Sequence, residues 1–113
     1  MHIEKVILPS AVLVKLAGRF EFGTRNDYKR VIGQIVQEGH HRLILDLEQV
    51  TFLDSSALGL LLLTDQNFKL KQGSLGLVRP AGYVRQVLDL ANLPKVIPVY
   101  ESVDDAVNAV PTA

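Results

Sequence analysis

Short β-branched segments alternate with amphipathic helical stripes along nearly the whole chain, and turn residues separate them. Ile3 to Leu8 and Val12 to Leu16 flank Pro9-Ser10, which predicts two strands joined by a tight turn. Gly18 and Gly23 bracket a predicted loop, Arg19-Phe20-Glu21-Phe22. Thr24 is a suitable N-cap for a helix. After it, Tyr28, Val31, Ile32, Ile35 and Val36 recur at i, i+3, i+4, i+7 and i+8, one apolar stripe. Gly39 suits the position after its last turn. Leu43 to Leu47 is apolar except for Asp46, as in a strand covered on at least one face. Val50, Phe52 and Leu53 then lead to Asp54. A second helix is expected from Ser55 or Ser56 to about Leu70, closed by Gly73. Leu75, Leu77 and Val78 form the next strand, stopped by Pro80. Val84, Val87, Leu88 and Ala91 give a third helical stripe. Val96 to Tyr100 reads as a last strand, placed at a sheet edge because Pro98 has no N–H to donate. Ser102 to Val110 reads as a closing helix. Ser102 is its N-cap, and Asp104 and Asp105 in its first turn suit the helix dipole.

Repeated strand–helix alternation predicts an α/β domain with a mixed, mostly parallel sheet of four to five strands and about four helices. The two N-terminal strands supply the antiparallel element. A chain of 113 residues is the size of one domain, read here as residues 1–113. With 48% apolar residues it can bury a single core. Twelve basic and twelve acidic residues leave no net charge, and no run of like charge occurs. A nucleic-acid footprint, which needs clustered Lys and Arg, is therefore not expected. The absence of cysteine excludes a disulfide scaffold, a thiol nucleophile and a Cys-ligated metal. Glu4 and Lys5 interrupt the N-terminus, and the longest apolar run, Ala57 to Leu63, is far short of the ~20 residues that span a bilayer. A cytoplasmic domain with no membrane contact and no cofactor is expected.

The informative stretch is Leu43 to Leu63, where an apolar strand ends in Asp54-Ser55-Ser56 and a helix follows at once. One reading is structural: Asp and Ser oxygens accept hydrogen bonds from the unpaired N–H groups of a first helical turn. The other is functional. A hydroxyl at a helix N-terminus is placed to carry a phosphate, which free N–H groups and the helix dipole would stabilise. A phosphoserine adds about −1.5 to −2 charges at neutral pH. Such a charge on an apolar docking surface can exceed the ~1.4 kcal/mol that changes affinity tenfold.

At this point the chain resembles a known family. Leu53-Asp54-Ser55-Ser56-Ala57-Leu58-Gly59, followed by Leu60 to Leu63, looks like the phosphorylation segment of STAS domains in bacterial anti-sigma-factor antagonists (SpoIIAA-like). Gly18-Arg19-Phe20-Glu21 sits where that family has a Gly-x-Leu-Asp-like turn. Leu43 to Leu47, Gly73 to Val78, Val84 to Leu88 and Leu93 to Val96 match its later strands and helices. The resemblance implies a partner switch. The unphosphorylated domain binds an anti-sigma factor that is also a GHKL-type serine kinase; phosphorylation releases it; a PP2C-like phosphatase restores binding. Ser56 would be the phosphoacceptor, with Ser55 as the alternative. Asp54 would position the hydroxyl or cap the helix. Glu21, Phe22, Ser55, Ala57, Gly59 and Leu60 would contact the partner, and the domain would act as a monomer or weak dimer. Two positions depart from the family pattern: Ala57 stands where Gly is common after the acceptor, and Glu21 replaces a loop aspartate. The G-R-F-E-F and D-S-S-A-L-G variants resemble antagonists of Gram-negative branched pathways controlling motility, secretion or biofilm formation.

Helical spacing turns Leu58, Leu61 and Leu62 toward the core and Leu60 and Leu63 sideways. Leu60 then either packs beneath a neighbouring element or joins an apolar partner patch. One ring of Phe20 and Phe22 is expected to be buried. His40 and His41 at a helix end lack the further ligands that a metal site requires. No G-x-G-x-x-G, P-loop or G-x-S-x-G pattern occurs. A serine nucleophile would also need a base within reach, and none of the three histidines has such a setting. The remaining alternative is a STAS domain that acts as a constitutive scaffold or senses a small ligand or nucleotide.

Overall fold

The computed structural model describes residues 1–109. Its elements follow the expected order, four helices and five strands: β1 (His2–Ile7), β2 (Val12–Phe20), α1 (Arg25–Gln37), β3 (Arg42–Leu53), α2 (Ser55–Leu70), β4 (Ser74–Val78), α3 (Gly82–Leu90), β5 (Val99–Tyr100) and α4 (Val103–Asn108). Short 3-10 turns cover Phe22–Thr24 and Leu93–Lys95. The sheet order is β1-β2-β3-β4-β5. The β1–β2 hairpin is antiparallel, and β2 to β5 are mutually parallel.

Alternation along the strands divides the apolar residues between two faces. Val12, Val14 and Leu16 of β2 and Leu43, Leu45 and Leu47 of β3 face one side. There they meet Tyr28, Ile32 and Ile35 of α1, Ala57, Leu61 and Phe68 of α2, and Val84 and Leu88 of α3. The opposite face is thinner: Leu13, Ile44 and Val78 pack under Ala106 of α4. Asp46 lies on that face and accepts the Glu48 N–H at 3.0 Å, which accommodates a carboxylate within an apolar strand.

Several boundaries differ from the sequence reading for local reasons. Gly18 does not open a loop. It sits at φ +95° in an irregular stretch of β2, and the strand continues to Phe20. Phe20 is buried, with its ring centroid 4.7 Å from that of Tyr28. Thr24 precedes α1, but its hydroxyl does not cap it; the Oγ1 donates to the Arg19 carbonyl at 2.9 Å and accepts the Glu21 N–H at 3.1 Å. At the end of α2 the left-handed residue is Gln72, at φ 60°. Gly73 serves close approach instead: a Cβ there would lie 2.1 Å from the His41 carbonyl oxygen. The last strand is at the edge as expected, but only Val99–Tyr100 pair, after a 3-10 turn has consumed Leu93–Lys95. Ala91 is exposed just beyond α3 rather than within its buried stripe. Ser102 caps α4 by accepting the Asp105 N–H at 3.0 Å. Val110, assigned to this helix from sequence, lies outside the described residues.

The buried stripe of α2 is Ala57, Leu61, Thr64, Asp65 and Phe68. Leu62, expected in the core, is exposed, and so is Leu63. Leu58 and Leu60 pack partly against the core. Two polar residues rotate the helix away from the leucine-based expectation. Thr64 is inside because its Oγ1 lies 2.6 Å from the buried Tyr28 hydroxyl and donates to the Leu60 carbonyl at 2.7 Å. Burial holds that phenol well above its ordinary pKa, with the Thr64 bond opposing only in part. Asp65 is inside beside Lys69, 2.9 Å from its Oδ2.

Candidate functional site

The parallel strands β2, β3 and β4 deliver their C-terminal ends to one edge of the molecule. In α/β sheets this is the end where loops between strand and helix assemble a site. At the tip of β3, Asp54 is extended at φ −113° and ψ −176°, the geometry of an N-cap, and α2 begins at Ser55. Its Oδ1 accepts the Ala57 N–H at 3.0 Å. Its Oδ2 accepts the Phe22 N–H, also at 3.0 Å, from the turn that follows β2. One carboxylate thus ties two loops that are far apart in sequence. Partial desolvation pushes the Asp54 carboxyl up. The hydrogen bonds from the Ala57 and Phe22 N–H groups, with the N–H groups of Ser56 and of Asp54 itself also facing the carboxylate, outweigh it and hold it below the usual carboxylate range. Ser55 is exposed and Ser56 half-buried, so neither hydroxyl is sealed inside the fold.

The neighbouring loop is braced by charge and aromatic contacts. Arg19 Nη2 pairs with Glu21 Oε2 at 3.0 Å, and its guanidinium lies 4.1 Å from the centroid of the Phe52 ring. Phe52 in turn stacks on Tyr83 of α3, with centroids 5.8 Å apart and planes 8° from parallel. Arg25 lies over Phe22 at 3.6 Å and donates to the Phe22 carbonyl at 2.6 Å. Phe22 remains 59% exposed and Tyr83 51% exposed, so these rings are partly free to meet another surface.

A family model for the STAS domain matches residues 2–106. The chain belongs to the STAS domain family. A STAS-domain containing protein of Pseudomonas aeruginosa is 30% identical over 96 residues, covering 81% of this chain and 94% of that protein. The crystal structure of an anti-sigma factor antagonist from Mycobacterium paratuberculosis is 27% identical and has a TM-score of 0.84, covering 93% of this chain and 89% of that one. SpoIIAA, the Bacillus cell fate determinant, in its phosphorylated form has a TM-score of 0.72 at 19% identity, covering 95% and 97% of the two chains. At that identity the likeness shows the fold alone: this STAS domain has the SpoIIAA fold.

Within the STAS domain, Asp54, Ser55, Ser56, Glu21 and Phe22 share one end of the sheet, and the Asp54–Phe22 hydrogen bond connects their two loops. Gly59 is exposed one turn further along α2. Ala57 is 0% exposed and packs in the core, so its side chain is not a contact residue in this conformation. Its methyl group fills space beneath the first turn of α2. Leu60 leans partly on the core, and the outward apolar residues of α2 are Leu62 and Leu63, with Leu70 at its far end. The Arg19–Phe52–Tyr83 stack escaped the sequence reading. Its members come from three elements, and no local spacing announces a contact made across β2, β3 and α3.

Proposed function

We propose that this STAS domain is an anti-sigma factor antagonist. In its unphosphorylated form it sequesters, in the cytoplasm, an anti-sigma factor that is itself a GHKL-type serine kinase. Phosphorylation of Ser56 releases that partner, and a PP2C-like phosphatase reverses the modification. The observation that carries this reading is the first turn of α2, where Ser55 is exposed and Ser56 half-buried beside Asp54 and the half-exposed Phe22. The similarity to an anti-sigma factor antagonist over nearly the whole chain supports it.

The electrostatics sharpen the mechanism. The Ala57 N–H, which would otherwise help to neutralise a phosphate, already bonds to Asp54, and the Ser56 N–H faces the same carboxylate. A phosphate on Ser56 therefore adds its charge next to an existing carboxylate instead of an empty anion site. A partner that covers this surface must desolvate both charges, which costs far more than the ~1.4 kcal/mol of a tenfold weakening. Ser55 is the more exposed of the two serines, which favours keeping it as the second possible acceptor.

The test is incubation with ATP and the kinase, followed by mass spectrometry and a binding measurement. One added phosphate is expected, lost in Ser56→Ala, which binds constitutively, whereas Ser56→Asp binds poorly. A shift that persists in Ser56→Ala but disappears in Ser55→Ala reassigns the acceptor. Wild-type binding by both Ser56 variants refutes the switch at this residue.

A further inference from the structure

The other end of the sheet holds a cavity of about 230 Å³, unrelated to the serine segment. It lies along the open part of the β4 edge. β5 pairs with β4 only at Leu77 and Val78. Leu77 donates its N–H to the Pro98 carbonyl and Arg79 to that of Tyr100, both toward β5. Backbone groups alternate in direction along a strand, so the Leu75 N–H points to the same side. There β5 has not yet begun, and Leu75 lines the cavity.

Asp65 reaches the lining from α2 and is 2% exposed. Lys69 Nζ holds its Oδ2 at 2.9 Å, while its Oδ1 has no hydrogen-bond partner among the described residues. A buried carboxylate oxygen without a donor is costly, and native folds rarely leave one so. The last torsion of an aspartate is soft, so a modest rotation turns Oδ1 toward the cavity. On another wall, Arg42 donates to the carbonyls of Ala106, Val107 and Ala109 and keeps its full charge. Two cations and one carboxylate leave the lining with one net positive charge.

We propose that this cavity binds a small hydroxy- or amino-carboxylate. The hydroxyl or ammonium of the ligand satisfies Asp65 Oδ1. Its carboxylate meets the Leu75 N–H and the positive charge of Lys69, and Arg42 adds its field from the α4 side of the sheet. The volume is that of roughly eight liquid waters at ~30 Å³ each, room for a molecule of six or seven heavy atoms such as lactate or serine.

The experiment is titration of the ¹⁵N-labelled protein with L-serine and L-lactate through the millimolar range, with acetate and glycerol as controls. Saturable shifts are expected at the amides of Leu75, Gly76 and Lys69 with serine or lactate, and weaker ones with either control, which carries only half of the recognition chemistry. Asp65→Asn should weaken binding about tenfold or more, as expected for loss of a hydrogen bond to a charged group. Lys69→Gln keeps a donor beside Asp65 Oδ2 but removes the cation; it should also weaken binding, with a lowered melting temperature but a folded amide spectrum, and provides the reading if Asp65→Asn fails to fold. No saturable shift at these amides, equal responses to the controls, or a Lys69→Gln protein that binds like the wild type overturns the proposal.

Discussion

Replacing Asp54 by alanine removes both hydrogen bonds that this carboxylate makes with neighbouring loops. Loss of an N-cap aspartate costs about 1 kcal/mol, within a range of roughly 0.5–2. The second bond, from Phe22 N–H to Oδ2 at 3.0 Å, is partly solvated, and its net worth is about 0.5–1 kcal/mol. The sum, about 1.5–2 kcal/mol, should lower the melting temperature by roughly 6–12 °C in a domain of this size. Asp54→Asn separates the two contributions. Asparagine caps as well as aspartate, but it offers one acceptor oxygen where two N–H groups now bond to separate oxygens. It should recover about half of the loss. The carboxyl is held below its unfolded value, so its contribution is present above the unfolded pKa, near 3.9. It is lost as pH falls through the lower folded value. The Asp54→Ala penalty should therefore shrink in acid below about pH 4. Urea unfolding followed by circular dichroism at pH 7 and pH 3 reads all of this. An Asp54→Ala protein as stable as the wild type, or an Asn variant no better than Ala, refutes the two-bond account.

Gly73→Ala should destabilise by about 1–3 kcal/mol, because the new methyl group meets the His41 carbonyl, a backbone atom that cannot swing aside; thermal unfolding checks it. Leu61→Ala, at a fully buried position beneath the sheet, should cost about 2–5 kcal/mol by the same measurement. Leu63→Asp should leave the melting temperature within a few degrees, since Leu63 is 50% exposed, while weakening capture of the kinase partner if the outer face of α2 belongs to the interface. Leu60→Asp should instead unfold the domain, because Leu60 packs against the core. Tyr83→Ala should reduce partner binding with little loss of stability; unaltered affinity would remove the aromatic stack from the docking surface.

The architecture was legible because punctuation and periodicity agreed. Gly39, Pro80 and Asp54 stand at the ends of elements whose apolar spacing differs on either side. Local misreadings arose where one residue did a job that sequence does not display. A bulge at Gly18 prolonged β2, and the Tyr28–Thr64 hydrogen bond drew a threonine into the α2 stripe at the expense of Leu62. The Asp-Ser-Ser segment was readable because its members are adjacent and sit between two kinds of periodicity. The Phe22–Asp54 bond was not, since it joins a backbone N–H to a side chain 32 positions away. Nor was the burial of Ala57, which depends on the rotation of α2 set by residues two turns later.

The clamp that Asp54 places on the preceding turn grips the main chain at residue 22 and ignores what hangs from it. Any residue but proline could stand there and keep the bond to Asp54, at the cost of the ring that Arg25 now covers. Relatives built this way can diverge in whom they recognise while the serine segment keeps its geometry.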